Sequence, residues 1–190
     1  MRSTSRILTI SAALLVIGST AVQAQRPQTR QGFWIGFGLG WGSLGVSCGT
    51  PDCRTGRTGA ASGYLKLGGT LSPHFLLGGE TNGWTKEEER TTVTAANASL
   101  AAYYYPQPAG GLFLKGGAGI ATFKEEGGDA ASGVGLVVGL GYDFRVGPNV
   151  SITPVANFNW GRVGDVTGPI DVTPDVKQNI IQLAVGVTFH

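Results

Sequence analysis

From Val176 to His190 the chain reads in twos. Ile181, Leu183, Val185, Val187 and Phe189 form an unbroken row of large apolar side chains. Val176, Gln178, Ile180, Gln182, Ala184, Gly186, Thr188 and His190 alternate with them and are mostly small or polar. Side chains two apart share one face of a β-strand, so the stretch predicts a strand with one greasy face and one small or polar face. The alternation recurs upstream. Phe33, Ile35, Phe37, Leu39 and Trp41 oppose Trp34 and alternate glycines at about 32–44; Leu65, Leu67 and Leu71 oppose Ser62, Tyr64, Lys66 and Thr70 at about 59–71. Further strands are predicted at about 75–86, 91–105, 111–123, 132–146 and 150–162, the last with Ile152, Ala156, Phe158 and Trp160 against Ser151, Thr153, Asn157 and Asn159.

That makes eight long strands. Short turns with proline at Ser72-Pro73-His74, 106–110 and 147–149 alternate with longer polar or charged connections at 46–58, 86–90, 124–131 and 163–175. An even number of strands with alternating faces and two classes of connection is the pattern of a transmembrane β-barrel. Closure pairs every backbone N–H and C=O, as lipid requires. The fold class is therefore all-β, an eight-stranded antiparallel up-and-down barrel. A soluble barrel would bury its apolar rows. These rows are too bulky for the bore of eight strands, whereas the glycine rows fit it, so the apolar rows face lipid. Aromatic residues agree: Phe33, Phe75, Tyr104, Tyr142, Phe144 and Phe189 lie near the short turns, and Trp41, Phe158 and Trp160 near the other end. Trp84 breaks the rule, since its parity points inward.

The charges at inward parity carry the sharpest local expectation. A turn pairing Leu71 with Phe75 sets Lys66 opposite Glu80, and Lys115, Asp143 and Arg145 fall at a similar depth. A Lys facing lipid near the midplane costs about 2–4 kcal/mol. The five are read as a salt-bridged plug in the lower lumen; a ring that tunes ion passage is the alternative.

Composition adds an address. Arg2 and Arg6, an apolar run from Ile7 to Ile17 and Val22-Gln23-Ala24 form a secretory signal, so residues 1–24 are expected to be removed, leaving a lead-in at 25–31 and a barrel at 32–190. Without those two arginines the 14 basic residues fall to 12, balancing the 12 acidic ones. Nothing there calls for nucleic acid. The 32 glycines disfavour an α-rich domain. Cys48 and Cys53 are expected to form a loop disulfide in an exported chain; zinc would need further ligands, and the two histidines, His74 and His190, lie far apart. No catalytic, cofactor or metal site is expected. Gly40 to Gly45 matches G-x-G-x-x-G, but no helix follows it.

With strand count, connection rhythm and chain end in view, the chain resembles the small eight-stranded outer-membrane barrels of the OmpA/OmpX type over essentially the whole mature length. Gln182, Ala184, Val187 and Phe189 occupy the places of that class's C-terminal assembly signal; Ala184 stands where glycine is usual, and His190 follows the aromatic. The resemblance implies an outer-membrane location, recognition by the barrel-assembly machinery, periplasmic short turns, external loops at 46–58, 86–90, 124–131 and 163–175, and no appended peptidoglycan-binding domain. The expected function is a structural or surface-interaction barrel, monomeric, meeting outer-membrane lipid, lipopolysaccharide or an external partner through Arg54, Arg57, Glu87–Glu89 and Glu125–Glu126. A narrow pore is the alternative. A lipid-modifying enzyme fits less well, because His74 and His190 sit at the wrong end for the outer leaflet, and a soluble ligand-binding barrel ranks last.

Overall fold

The computed structural model describes residues 30–49, 56–88, 91–167 and 172–190. The alternation becomes β1 (Phe33–Ser47), β2 (Thr58–Ser72), β3 (Phe75–Glu88), β4 (Thr91–Tyr104), β5 (Leu112–Glu125), β6 (Ala131–Tyr142), β7 (Phe144–Arg145), β8 (Val150–Thr167) and β9 (Val172–Phe189). Every pairing is antiparallel. β1 pairs with β2 on one edge and with β9 on the other, and β6 and β7 both pair with β8, so the sheet closes on itself.

β6 and β7 form a single stave. Gly141 faces Val155 and Phe144 faces Ile152 in one register. The Val146 N–H donates to Val150 O at 3.0 Å, and hydrogen-bonded pairs recur at every second residue. Tyr142 opposite Pro154 belongs to that set, and proline has no N–H to give. Asp143 keeps its bond to the other neighbour, donating its N–H to Gly111 O at 2.9 Å. The molecule is thus a closed up-and-down barrel of eight staves.

Parity sorts the side chains as oil and water require. Leu39 is 79% exposed, Leu183 63% and Leu100 63%, all on the outer wall. Phe33, Phe75, Tyr104, Phe144 and Phe189 ring the short-turn end of that wall, with Phe75 and Tyr104 rings 4.9 Å apart. Inward glycines give the lumen side chains room to lie across the bore. A Cβ on Gly38 would come within 2.6 Å of Tyr64 Cε1, and one on Gly141 would run into the Phe113 ring.

Three expectations change. Ser72, not Leu71, pairs with Phe75, which leaves Leu71 as a bulge and Pro73-His74 as a two-residue loop. Ser72 Oγ accepts the Phe75 N–H at 3.1 Å and holds that loop. The bulge absorbs the offset, so Lys66 still faces Glu80.

Much of 163–175 is strand: β8 runs to Thr167 and β9 starts at Val172. Bulges around Gly164, at φ 78°, and Asp175, at φ 47°, bend this tall hairpin. At the same end β1, β3 and β5 run into the predicted loops 46–58, 86–90 and 124–131. The two ends therefore differ in hairpin height more than in connection length. Residues 1–29, 50–55, 89–90 and 168–171 lie outside the described residues, and with them the predicted signal peptide, most of the lead-in, Cys53 and the Cys48–Cys53 bridge.

Candidate functional site

The inward row of β3 samples the whole bore. From the short-turn end it reads Leu76, Gly78, Glu80, Asn82 and Trp84. Four of them mark layers: Leu76 an aromatic one, Glu80 an ionic one, Asn82 an amide one and Trp84 an apolar one.

In the ionic layer the Glu80 carboxylate accepts from Lys115 Nζ on β5, from the Tyr103 hydroxyl on β4 and from Asn82 Nδ2 at 2.8 Å. Its register partner Lys66 turns elsewhere. The Lys66 ammonium faces the rings of Phe113 at 4.9 Å, Tyr103 at 5.4 Å, Trp34 at 5.8 Å and Tyr64 at 5.9 Å. A cation over aromatic faces is attracted by their quadrupoles, so the ammonium is held by rings.

A second acidic centre lies below. Asp143 accepts from Thr153 Oγ1 at 2.7 Å and from the Tyr105 hydroxyl at 2.9 Å. Arg30 Nη2 lies 3.8 Å and His190 Nε2 3.6 Å from its Oδ2. Arg30 also donates to Pro108 O at 2.8 Å and Gly110 O at 2.7 Å, and its guanidinium stacks 3.5 Å from the Tyr105 ring. Arg145 donates to Pro148 O at 3.0 Å. Arg30 and His190, the first and last of the described residues, thus meet Asp143 across the short-turn mouth.

The middle of the bore is an amide belt. Asn157 Nδ2 donates to Gln182 Oε1 at 2.7 Å and to Asn82 Oδ1 at 3.2 Å, and Gln182 Nε2 reaches Gly63 O at 3.2 Å. Above it the lumen turns apolar: Leu44, Trp84, Phe123, Val163, Val176 and Ile180 pack as one cluster, with Trp84 Nε1 donating to Gly42 O at 3.0 Å.

All five predicted lumen charges, Lys66, Glu80, Lys115, Asp143 and Arg145, are buried. Lys115 and Glu80 meet directly, while the Lys66 ammonium lies among aromatic rings and the Asp143 carboxylate accepts from Thr153 and Tyr105. Of the predicted assembly-signal residues, Gln182 and Ala184 face the lumen and Phe189 faces out, all within β9; Val187 lies on the outward row. Sequence reasoning gave no lumen role to Arg30, Tyr105 or His190, and it missed the upper apolar cluster. Parity held the signal: Arg30 counts in step with Trp34, and Val176, Ile180 and His190 all belong to the small-or-polar row of the last strand. His74 occupies the short turn, its Nδ1 2.8 Å from Tyr105 O.

Solved structures with the same architecture cover most of the chain. The attachment invasion locus protein Ail of Yersinia pestis aligns at TM-score 0.58 and 13% identity, over 84% of this chain and 99% of that one. Neisserial surface protein A aligns at TM-score 0.54 and 16% identity, over 85% of this chain and 99% of that one. At such identities the likeness is one of fold. No curated protein matches the sequence. A family model for the outer membrane protein beta-barrel domain matches residues 11–189, and the chain belongs to that family of outer-membrane barrels.

Proposed function

We propose that this outer-membrane barrel does not conduct, and that it acts from its outer surface through the β1–β2, β3–β4, β5–β6 and β8–β9 hairpins. The observation that carries the reading is the layered filling of the bore, from the Arg30–Asp143–His190 mouth through the Glu80–Lys115 pair to the Leu44–Phe123–Val176 cluster. An eight-stranded lumen is just wide enough for side chains, and each layer here already contains large ones. The acidic and basic tips of the hairpins are the contact points for an external partner, and the reading includes no catalytic step. Planar-bilayer recording of the refolded barrel tests it: the current expected is that of a protein-free bilayer, and discrete single-channel steps would overturn the closed lumen. Shortening the β8–β9 hairpin should abolish binding of lipopolysaccharide or of an external partner while leaving the heat-modifiable gel shift of the barrel intact.

One observation favours a narrow pore as the second reading. Both amide atoms of Asn159, Ser62 Oγ and Gln178 Oε1 are buried without a protein hydrogen-bond partner among the described residues, which is the chemistry of a hydrated passage. The same recording separates the two.

A further inference from the structure

The staves end at different heights around the tall-hairpin mouth. β6 starts at Ala131, opposite Phe123, while β8 and β9 rise to the Val166–Thr173 pair. β5 also runs on past its last partner in β6, so Glu125 pairs only with Val93 of β4. Counting in twos from Phe123 turns Glu125 inward, and it is half-buried at the edge of the bore.

Between these strand tops lies a hollow of about 240 Å³, walled by Val46, Phe123, Val166 and Val176, with Glu125 and Thr173 as its polar groups. Phe123, Val166 and Val176 belong to the apolar cluster that caps the lumen, so the cap is the floor of the hollow. Sites for drug-sized molecules run to about 300–1,000 Å³; this one suits a smaller guest. A second hollow, of about 140 Å³, lies on the other side of Val46 and Phe123 and contains Lys86, which is already engaged.

Glu125 is the one charged side chain lining the larger hollow, and it makes no ion pair or side-chain hydrogen bond among the described residues. Its neighbour Glu126 turns the other way and accepts the Thr92 N–H. The cations nearby in the fold are occupied or averted: Arg162 and Lys177 pair with Asp175, beside Asp165, and Lys124 has outward parity. A carboxylate against apolar walls is less screened than one in open water. A cation brought there by an apolar body would meet it, and the Phe123 ring adds attraction for the same sign of charge. The geometry points to a binding site at the outer mouth for a small apolar amine, with its ammonium on Glu125 and its hydrocarbon among Val46, Phe123, Val166 and Val176. The site rests on the reading of the tall hairpins as the working end of a closed barrel, and gives that end a ligand class.

Phenethylamine, its neutral analogue phenethyl alcohol and the anion hydrocinnamate are close in shape and differ in charge. Each is titrated into the full barrel in nanodiscs of zwitterionic lipid, with empty discs as the blank, and followed by the methyl resonances of Val46, Val166 and Val176. The amine is expected to bind about tenfold more tightly than the alcohol and to lose part of that lead as salt rises; hydrocinnamate should bind weakest. Glu125→Gln should bring the amine down to the alcohol, whereas Lys86→Met should leave its lead in place. Val166→Phe fills the hollow without altering charge. It should weaken amine and alcohol alike, and it keeps the site testable if Glu125→Gln gives no compact unboiled gel band. Equal binding of amine and alcohol, an unchanged preference in folded Glu125→Gln, or unchanged affinity in folded Val166→Phe would overturn the site. Single-channel steps alongside Glu125-dependent binding would sink only the closed lumen; a silent bilayer with no amine preference would sink only the site.

Discussion

Glu80 is the side chain on which the ionic layer converges, and its removal gives the most decisive test of how the lumen is held. Three donors end on one carboxylate that is 1% exposed: Lys115 Nζ, the Tyr103 hydroxyl and Asn82 Nδ2. Glu80→Ala strips all three at once and strands an ammonium in the bore. Breaking a buried ion pair from one side costs about 3–5 kcal/mol, far more than the pair itself contributes. At about 1.4 kcal/mol per decade the folding constant should fall by roughly a hundred- to a few-thousand-fold. Removing both charges together, as Glu80→Gln with Lys115→Met, should cost clearly less than the sum of the single changes, because no unpaired charge remains. Urea titration in phospholipid vesicles measures each value. Trp34 supplies a local probe, since its ring lies 5.0 Å from that of Tyr103. If Glu80→Ala lies within about 1 kcal/mol of the unaltered barrel, water rather than Glu80 is satisfying Lys115, and the account of a dry ionic layer is wrong.

Other outcomes follow from the same geometry. Leu183→Arg on the outer wall should cost about 2–4 kcal/mol or block insertion, read as loss of the compact unboiled gel band; equal tolerance of Leu183→Arg and Ser62→Arg would reverse the inside–outside assignment. Arg30→Ala should lower stability by about 1.5–3 kcal/mol and speed amide exchange at the short-turn mouth, because charge-assisted bonds to Pro108 O and Gly110 O disappear. Glu126, at the exposed β5–β6 tip, accepts the Thr92 N–H at 2.9 Å, and that bond holds its carboxyl below the usual carboxylate range. A lowered folded-state value means that its contribution is present above the unfolded pKa and lost as pH falls through the folded one. Thr92 amide exchange should therefore accelerate on acidification in the unaltered chain, and in Glu126→Gln it should not change with pH beyond the intrinsic rate.

What the sequence determined by itself is the side of the wall on which each residue lies. That depends only on counting odd and even along a strand, and a one-residue slip of β6 would turn Leu136, Val138 and Leu140 into the bore together. Alternation therefore identified the barrel, its lipid-facing rows and the inward placement of Lys66, Glu80 and Lys115. Strand ends were less legible. Val163, Val166 and Thr173 stay paired or packed beyond the predicted limits because neighbouring hairpins cover them, and no local pattern records a neighbour.

Only the tertiary structure decided who meets whom across the bore. Register set Lys66 opposite Glu80, yet β5, two staves away, supplies the lysine that reaches the carboxylate, and four aromatic rings take the other ammonium. Asp143 likewise gathers Arg30 and His190, which lie far apart in the sequence. Hydrogen bonding along the wall couples adjacent strands, whereas a narrow cylinder brings side chains from distant staves within reach of one another. Curvature of that kind is a property of the closed sheet, and no stretch of the sequence contains it.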